Sequence, residues 1–246
     1  WNPKAMRTSD IMELPEAILM DLDNTILAFD TAVATSFQVA CHRMSLEEKE
    51  FEEDTLLQTV LACRDQFWSD SERNHWGRHN TRAASVIIVS NTFQLLNVGD
   101  PRKIGHFVDL QLDYLDNAIA PFPGAIEMLE QLKEKAIPLA LLTNGGSDVQ
   151  RRKINKFNLG QYFAQILIEG EIRVGKPHPR VFRRALRRLG VSPSHAWMVG
   201  DQLETDVWPA QELGMTGIWL DWEDRGLPTG GRVIPHRIIN GLKELL

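Results

Sequence analysis

The 246-residue sequence lacks three features that would each place it in a particular class of protein. It has only two cysteines, Cys41 and Cys63, in no metal-binding or redox spacing, so we expect both to be reduced and structural. No apolar run approaches the roughly 20 residues that are needed to span a bilayer. The net charge of -6 argues against a surface that neutralises many nucleic-acid phosphates.

Residues 1–10 are polar and do not resemble a secretory signal. Trp1 is not an expected native start, for which Met6 and Met12 are the candidates. With 43% hydrophobic and 24% charged residues, the composition is typical of a soluble protein with one large or two modest domains. We therefore expect a cytoplasmic, enzyme-like protein with no membrane or nucleic-acid partner. We expect it to be a monomer or a homodimer.

Two aspartates follow an apolar run of strand length, in the stretch Glu16-Ala-Ile-Leu-Met-Asp21-Leu-Asp23-Asn-Thr25. Asn24 and Thr25 are typical turn residues, and such a turn would let both carboxylates reach a point beyond the strand tip. Two carboxylates held this close repel, which raises the proton affinity of one unless a cation lies between them. The pair predicts either a metal site or a division of labour between a nucleophile and an acid.

The segment 30–119 has the apolar spacing of helices throughout. Four helices are expected there, and the second, third and fourth have recognisable starts. Ser45-Leu-Glu-Glu48 matches a capping box, Asn80 or Thr81 can cap the third helix, and Asp100-Pro101 starts the fourth. The pattern predicts an all-helical domain inserted into the chain.

From Pro121 onward, short apolar strands alternate with helices. This pattern predicts an α/β domain with a doubly wound, Rossmann-like parallel sheet, formed by residues 11–29 and 120–246. In such sheets, ligands bind beyond the carboxyl ends of the strands. Three predicted strands end in polar residues, which are Asp21 with Asp23, Thr143 with Asn144, and Asp201.

The residues expected at this edge suit phosphate chemistry. Carboxylates are the hard oxygen ligands that Mg²⁺ prefers. Thr143, the N–H groups that follow it and Lys176 supply donors and positive charge for an anion. A carboxylate nucleophile could then form an aspartyl phosphate and split one difficult step into two.

Four stretches together resemble the haloacid dehalogenase-like phosphohydrolases. They are, in the order of that family, Asp21-Leu-Asp23-Asn-Thr25, Thr143 in Leu-Leu-Thr-Asn-Gly, Lys176-Pro177, and Gly200-Asp201-Gln-Leu-Glu-Thr-Asp206. The inserted helical segment stands where this family carries its cap. Within the family, the chain is similar to the sialic acid phosphatase and pyrimidine nucleotidase branch. Dehalogenases lack an acid two residues after the nucleophile, so Asp23 favours phosphate over halide chemistry.

The resemblance implies a role for each matching residue. Asp21 would attack phosphorus and bind Mg²⁺, while Asp23 would protonate the leaving oxygen and bind the metal through its backbone carbonyl. Lys176 would neutralise charge on Asp21 and the phosphate, and Asp201 would bind the metal. Asp206 and Glu204 would form an outer shell around these groups. The residues expected to bind the phosphate are Thr143, Asn144, Gly145 and Thr25.

These observations predict a Mg²⁺-dependent phosphomonoesterase acting on a small phosphorylated metabolite, such as a sugar phosphate or nucleoside monophosphate. A phosphotransferase or mutase of the same family is one alternative, and a non-catalytic phosphate-binding scaffold is another. The best candidates for substrate contacts in the cap are His75, Arg78, His79 and Arg82.

Two other patterns do not predict sites. Gly170 to Lys176 nearly matches a nucleotide P-loop, but Pro177 stands where a Ser or Thr would hold Mg²⁺. Five arginines between Arg180 and Arg188 are more typical of a solvated helix face than of an anion-binding surface.

Overall fold

The computed structural model describes residues 13–246, so the predicted boundary at residue 11 and the candidate starts Met6 and Met12 lie outside the described residues. The chain divides into two compact units, one formed by residues 13–28 with Pro121–Leu246 and the other by Phe29–Ala120. None of the described helices is long and apolar enough to cross a membrane.

The first unit contains a six-stranded, fully parallel sheet, as predicted. Its strands lie in the order β3-β2-β1-β4-β5-β6. The bounds are β1 Ala17–Met20, β2 Leu139–Thr143, β3 Gln165–Ile168, β4 Ala196–Gly200, β5 Thr216–Leu220 and β6 Arg237–Ile239. Strands β2 and β3 lie on one side of β1, and strands β4, β5 and β6 lie on its other side. The direction in which successive strands are added to the sheet therefore reverses between β1 and β4. In open α/β sheets a crevice forms at that point, beyond the carboxyl ends of the strands.

The unit Phe29–Ala120 is all helical. Its helices are α1 Phe29–Glu47, α2 Glu53–Ser69, α3 Ser71–His79, α4 Thr81–Leu95 and α5 Pro101–Ala118. They enclose one apolar core, in which Phe93 and Phe107 are fully buried and make an edge-to-face contact. Cys41 and Cys63 are free, buried members of this core.

The predicted start of the second helix was wrong. Ser45 lies inside α1 and its hydroxyl donates to the carbonyl of His42, so it caps no helix. Helix α2 begins eight residues later, and the side chain of Glu52 caps it by accepting from the N–H groups of Asp54 and Thr55. Helix α3 was not predicted. Its Gly77 leaves room for the rings of Phe67 and Trp68, which a Cβ atom would approach to 2.9 Å.

The remaining helices flank the sheet in the first unit. They are α6 Ala125–Glu134, α7 Ser147–Lys156, α8 Glu169–Ile172, α9 Pro179–Leu189 and α10 Trp208–Glu212. Helix α9 packs Phe182 and Leu186 in one cluster with Leu19 of β1 and Leu142 of β2. Neighbouring residues of β1 that point to the opposite face, such as Ile18, are also fully buried, so both faces of the sheet are covered.

The sequence of residues 203–213 predicts one helix with Pro209 inside it, but in the structure this segment is interrupted near the proline. Leu203–Val207 forms a π-helical turn, and α10 follows it. Pro209 lies in the first turn of α10, where a backbone N–H would have no partner within the helix, so its absence costs nothing. This irregular turn directly follows β4 and carries Asp206.

Candidate active site

The stretch after β1 turns sharply, as its sequence predicts. Asn24 adopts the left-handed conformation with φ of 59°, which asparagine tolerates better than most residues, and its N–H donates to the carbonyl of Leu27. Asp21 continues the strand alignment, since its N–H donates to the carbonyl of Val199 in β4. Asp21 is therefore held by backbone pairing, and Asp23 by the turn.

Lys176 lies between two acidic side chains. Its Nζ is 2.5 Å from Asp21 Oδ1 and 2.6 Å from Asp206 Oδ1, and all three residues are buried. Burial alone would lower the pKa of Lys176, but the carboxylates of Asp206 and Asp21 raise it overall. The lysine therefore remains charged next to the predicted nucleophile.

The second oxygen of Asp206 accepts from the N–H of Gln202. Gly200, the last residue of β4, allows this approach because any Cβ atom there would overlap the Asp206 carboxyl group. The glycine of the Gly200-Asp201 motif thus has a packing role that places Asp206 against Lys176.

Three carboxylates meet at the ends of β1 and β4. Ligand oxygens of Asp21, Asp201 and Asp206 lie within 4.8 Å of one another. Burial raises the pKa of Asp21 to about 7, with Lys176 opposing and Asp206 adding to the rise. Burial, together with the charges of Asp21 and Asp206, raises the pKa of Asp201 to about 8. Such a concentration of hard oxygen donors, whose negative charge Lys176 offsets only in part, fits a divalent cation such as Mg²⁺.

The carboxylate of Asp23 points elsewhere. Lys153 Nζ lies 2.8 Å from its Oδ1 and 2.7 Å from its Oδ2, and Gln150 Nε2 donates to Oδ2 at 3.0 Å. Gln150 Nε2 also donates to the hydroxyl oxygen of Thr143 at 2.5 Å. Both partners lie on α7, and sequence reasoning missed them. The signal was present, since Gln150 and Lys153 are three residues apart and share the face of a helix that follows Thr143.

The polar residues after β2 serve partly to hold the neighbouring loop. The Asn144 side chain donates to the carbonyl of Lys176 at 2.7 Å and accepts from its N–H at 2.8 Å. The N–H of Gly145 donates to the buried carboxylate of Glu169 at 2.9 Å. Glu169 was also missed by the sequence reasoning.

Not every predicted site residue lies where a ligand could reach it. Thr25 is 0% exposed and its hydroxyl has no hydrogen-bond partner among the described residues. Gly145 was predicted to bind phosphate, but its N–H already donates a hydrogen bond to the carboxylate of Glu169. Glu204 is exposed on the π-helical turn. By contrast, Asp21, Thr143, Lys176 and Asp201 occupy adjacent strand ends and the loop beside them.

The candidate cap residues lie on α3 and α4. The rings of His75 and His79 are 5.4 Å apart, and an Arg78 nitrogen is 3.4 Å from His75 Nδ1. Arg82 is exposed and pairs with Asp109 at 2.6 Å.

The chain is similar to proteins with several named activities. It is 40% identical over 125 residues to a phosphoserine phosphatase from Thermus thermophilus, covering 50% of this chain and 49% of that one. It is 36% identical over 119 residues to the N-acylneuraminate-9-phosphatase of Rattus norvegicus, covering 48% and 47%. It is 25% identical over 233 residues to the pyrimidine 5'-nucleotidase YjjG of Escherichia coli, covering 93% and 95%. The chain thus spans about half the length of the first two relatives and nearly all of the third.

Solved structures share the fold. The putative HAD-hydrolase YfnB from Bacillus subtilis, bound to magnesium, aligns with a TM-score of 0.72 at 20% identity, over 95% of this chain and 97% of that one. A 2-haloacid dehalogenase from Pseudomonas syringae aligns with a TM-score of 0.60 at 23% identity, over 95% and 96%. The family described as haloacid dehalogenase-like hydrolase matches residues 15–214. Because that match covers most of the sequence, the chain belongs to the haloacid dehalogenase-like hydrolases.

Proposed function

We propose that this chain is a Mg²⁺-dependent phosphomonoesterase that hydrolyses a small phosphorylated metabolite through an aspartyl phosphate on Asp21. The observation that carries the proposal is that the Asp21 carboxylate contacts Lys176 and lies within 4.8 Å of ligand oxygens of Asp201 and Asp206. A buried carboxylate next to both a fixed lysine and a candidate cation site is suited to attack an anionic phosphate ester. The named activities of the relatives support this choice of substrate class.

In the first step, an Asp21 oxygen forms a bond to phosphorus while the bond from phosphorus to the ester oxygen breaks. For this step Asp23 must carry a proton, which it gives to that leaving oxygen. In the second step, Asp23 takes a proton from water as the water oxygen attacks phosphorus, and Asp21 is released as a carboxylate. The overall result is an alcohol and inorganic phosphate.

The other residues bind charge during both steps. Lys176 offsets negative charge on Asp21 and on the phosphoryl group. Thr143 accepts a hydrogen bond from Gln150, so its own hydroxyl proton is available for a phosphoryl oxygen. Asp21, Asp201 and the backbone carbonyl of Asp23 would hold Mg²⁺, with Asp206 beside them, and the ion would supply electrostatic stabilisation of the phosphoryl oxygens.

The helical unit is proposed to select the substrate, as a cap does. Its candidate contact residues are His75, Arg78, His79 and Arg82, which bring nitrogen donors suited to a sugar or nucleoside part of a substrate. Substitution of these residues would then change KM and the order of preferred substrates more than the rate of the chemical step. A cytoplasmic location also remains a prediction.

The test is phosphate release from sugar phosphates, nucleoside monophosphates and p-nitrophenyl phosphate, with Mg²⁺ or with a chelator, beside the variant Asp21→Asn. We expect release that needs Mg²⁺ and disappears in the variant, and the best substrate would define the physiological class. A folded, Mg²⁺-loaded protein that releases phosphate from none of these esters would refute the proposal.

A further inference from the structure

The Asp23 carboxylate is anchored on both of its oxygens by helix α7. Lys153 contacts Oδ1 and Oδ2, at 2.8 and 2.7 Å, and Gln150 donates to Oδ2 at 3.0 Å. Rotation of the carboxylate about its last side-chain bond would break these contacts. The orientation of Asp23 is therefore fixed by residues more than 120 positions away in sequence.

Lys153 is an unusual residue to find at this depth. It is 6% exposed, whereas lysine is almost never buried unless its charge is paired. Its neighbour on the same helix, Lys156, is exposed, so α7 does not simply bury every lysine. The buried charge of Lys153 is paired with Asp23.

Gln150 joins Asp23 to the residue at the end of β2. It is 2% exposed, and its carboxamide nitrogen donates both to Asp23 Oδ2 and to Thr143 Oγ1. While Asp23 is ionised its oxygens can only accept, so the nitrogen of the Gln150 carboxamide faces it. One side chain therefore sets the distance between the proposed leaving-group acid and the proposed phosphoryl-binding hydroxyl.

We propose that Lys153 and Gln150 are positioning residues for Asp23. They hold its carboxyl group at the point where the leaving oxygen departs and at a fixed distance from the Thr143 hydroxyl. The inference rests on the proposed function, in which Asp23 handles the proton of the leaving group. It adds two residues of α7 to the four motifs that the sequence alone identifies.

The proposal predicts an effect that depends on the leaving group. An alkoxide, as in a sugar phosphate, needs a proton when it departs, whereas p-nitrophenolate is a stable anion and departs without one. The value of kcat/KM reports the steps up to this departure. A misplaced Asp23 should therefore reduce kcat/KM for alkyl phosphates far more than for p-nitrophenyl phosphate, which a general loss of folding cannot produce.

The experiment compares Lys153→Met with Lys153→Arg and with the control Lys156→Met on the same helix. In Lys153→Met, we expect kcat/KM for the best alkyl phosphate to fall about 100-fold, a loss typical of impaired general acid–base catalysis. For p-nitrophenyl phosphate, which needs no proton on its leaving group, we expect kcat/KM to fall less than about tenfold. Lys153→Arg keeps the charge and should recover most of the loss, and Lys156→Met should behave as wild type. Equal losses for both esters, or no loss, would overturn the proposal.

A second measurement does not require activity. The thermal midpoints of Lys153→Met, Asp23→Asn and the double variant form a cycle. Each single change leaves one member of the Asp23–Lys153 ion pair without its opposite charge, so the double variant should lose less than the sum of the single losses. Additive losses would refute the anchoring of Asp23. If the cycle were non-additive but the wild-type chain hydrolysed no ester, the proposed function would be refuted. The anchoring of Asp23 by Lys153 would still be supported.

Discussion

The side chain of Asn144 makes two hydrogen bonds to the backbone of Lys176, one to its N–H at 2.8 Å and one to its carbonyl at 2.7 Å. A carboxamide paired in this way with both groups of one residue fixes the position of that residue. The loop that carries the lysine is thus attached to the end of β2, next to Thr143. Gly175 permits the contact, because a Cβ atom there would lie 2.5 Å from Asn144 Oδ1.

We expect Asn144→Ala to reduce both stability and turnover. Two hydrogen bonds are lost, which corresponds to about 2 kcal/mol of unfolding free energy. Lys176 would also move relative to Asp21, and misplacement by about 1 Å can lower the rate about 100-fold. Denaturant unfolding and phosphate release would measure the two effects. Asn155→Ala, an exposed position on α7, is the control, and equal behaviour of the two variants would contradict the assignment.

The three clustered carboxylates predict a metal-dependent change in stability. Mg²⁺ at 100 times its dissociation constant should raise the unfolding free energy by about 2.7 kcal/mol, and a chelator should reverse this. In chelator at about pH 8 and above, where Asp201 with its pKa of about 8 is ionised, Asp201→Asn should be more thermostable than wild type because it relieves repulsion with Asp21 and Asp206. It should also lose the gain from Mg²⁺. Glu212→Gln, exposed on α10, should retain that gain. A full Mg²⁺ response in Asp201→Asn would contradict the proposed ligand set.

Much of the sheet and of the site was predictable because it depends on short-range patterns. Apolar runs of four or five residues mark β1, β2 and β4, and polar residues directly after them must lie at one edge of a parallel sheet. The fold class and the sheet are confirmed, and the family resemblance based on the four motifs is confirmed by the match over residues 15–214.

The rest depends on tertiary contacts that no local pattern contains. Ser45 has the spacing of a capping box, yet its hydroxyl is used inside α1. Gly77 lowers helix propensity, yet α3 forms because the missing side chain makes room for Phe67 and Trp68. Lys153 resembles any surface lysine in sequence, and only the fold brings it to Asp23.

The close contact between Gly200 and Asp206 predicts the effect of adding one methyl group. In Gly200→Ala the new Cβ atom would overlap the Asp206 carboxyl group, so Asp206 must move away from Lys176. Overpacking of this kind costs about 2 kcal/mol of unfolding free energy, and turnover should fall as well. Gly105→Ala is the control, since nothing lies within 4 Å of its added Cβ in α5. It should be neutral or stabilising by up to about 1 kcal/mol. Similar unfolding midpoints for the two variants would show that the Asp206 position tolerates the shift.

The raised pKa values of Asp21 and Asp201 predict a pH dependence with an unusual sign for carboxyl groups. Their pKa values are about 7 and about 8 in the folded chain, against an ordinary value of 3.8. Between about pH 4 and pH 8 the folded state therefore retains protons that the unfolded state has released. Because stability rises with pH only where the unfolded state binds more protons, these two groups make the unfolding free energy fall as the pH rises through this window.

The measurement is denaturant unfolding in chelator from pH 4 to pH 8, for wild type and for Asp201→Asn. Wild type should lose stability relative to the variant as the pH rises, because Asn cannot ionise. Mg²⁺ should reduce the difference in slope, since a bound cation favours the ionised carboxylates of Asp21 and Asp201. If the difference in unfolding free energy between the two proteins did not change with pH in chelator, the ionised form of Asp201 would not be destabilised by burial and by its neighbours. The repulsion that argues for a cation at this site would then be absent.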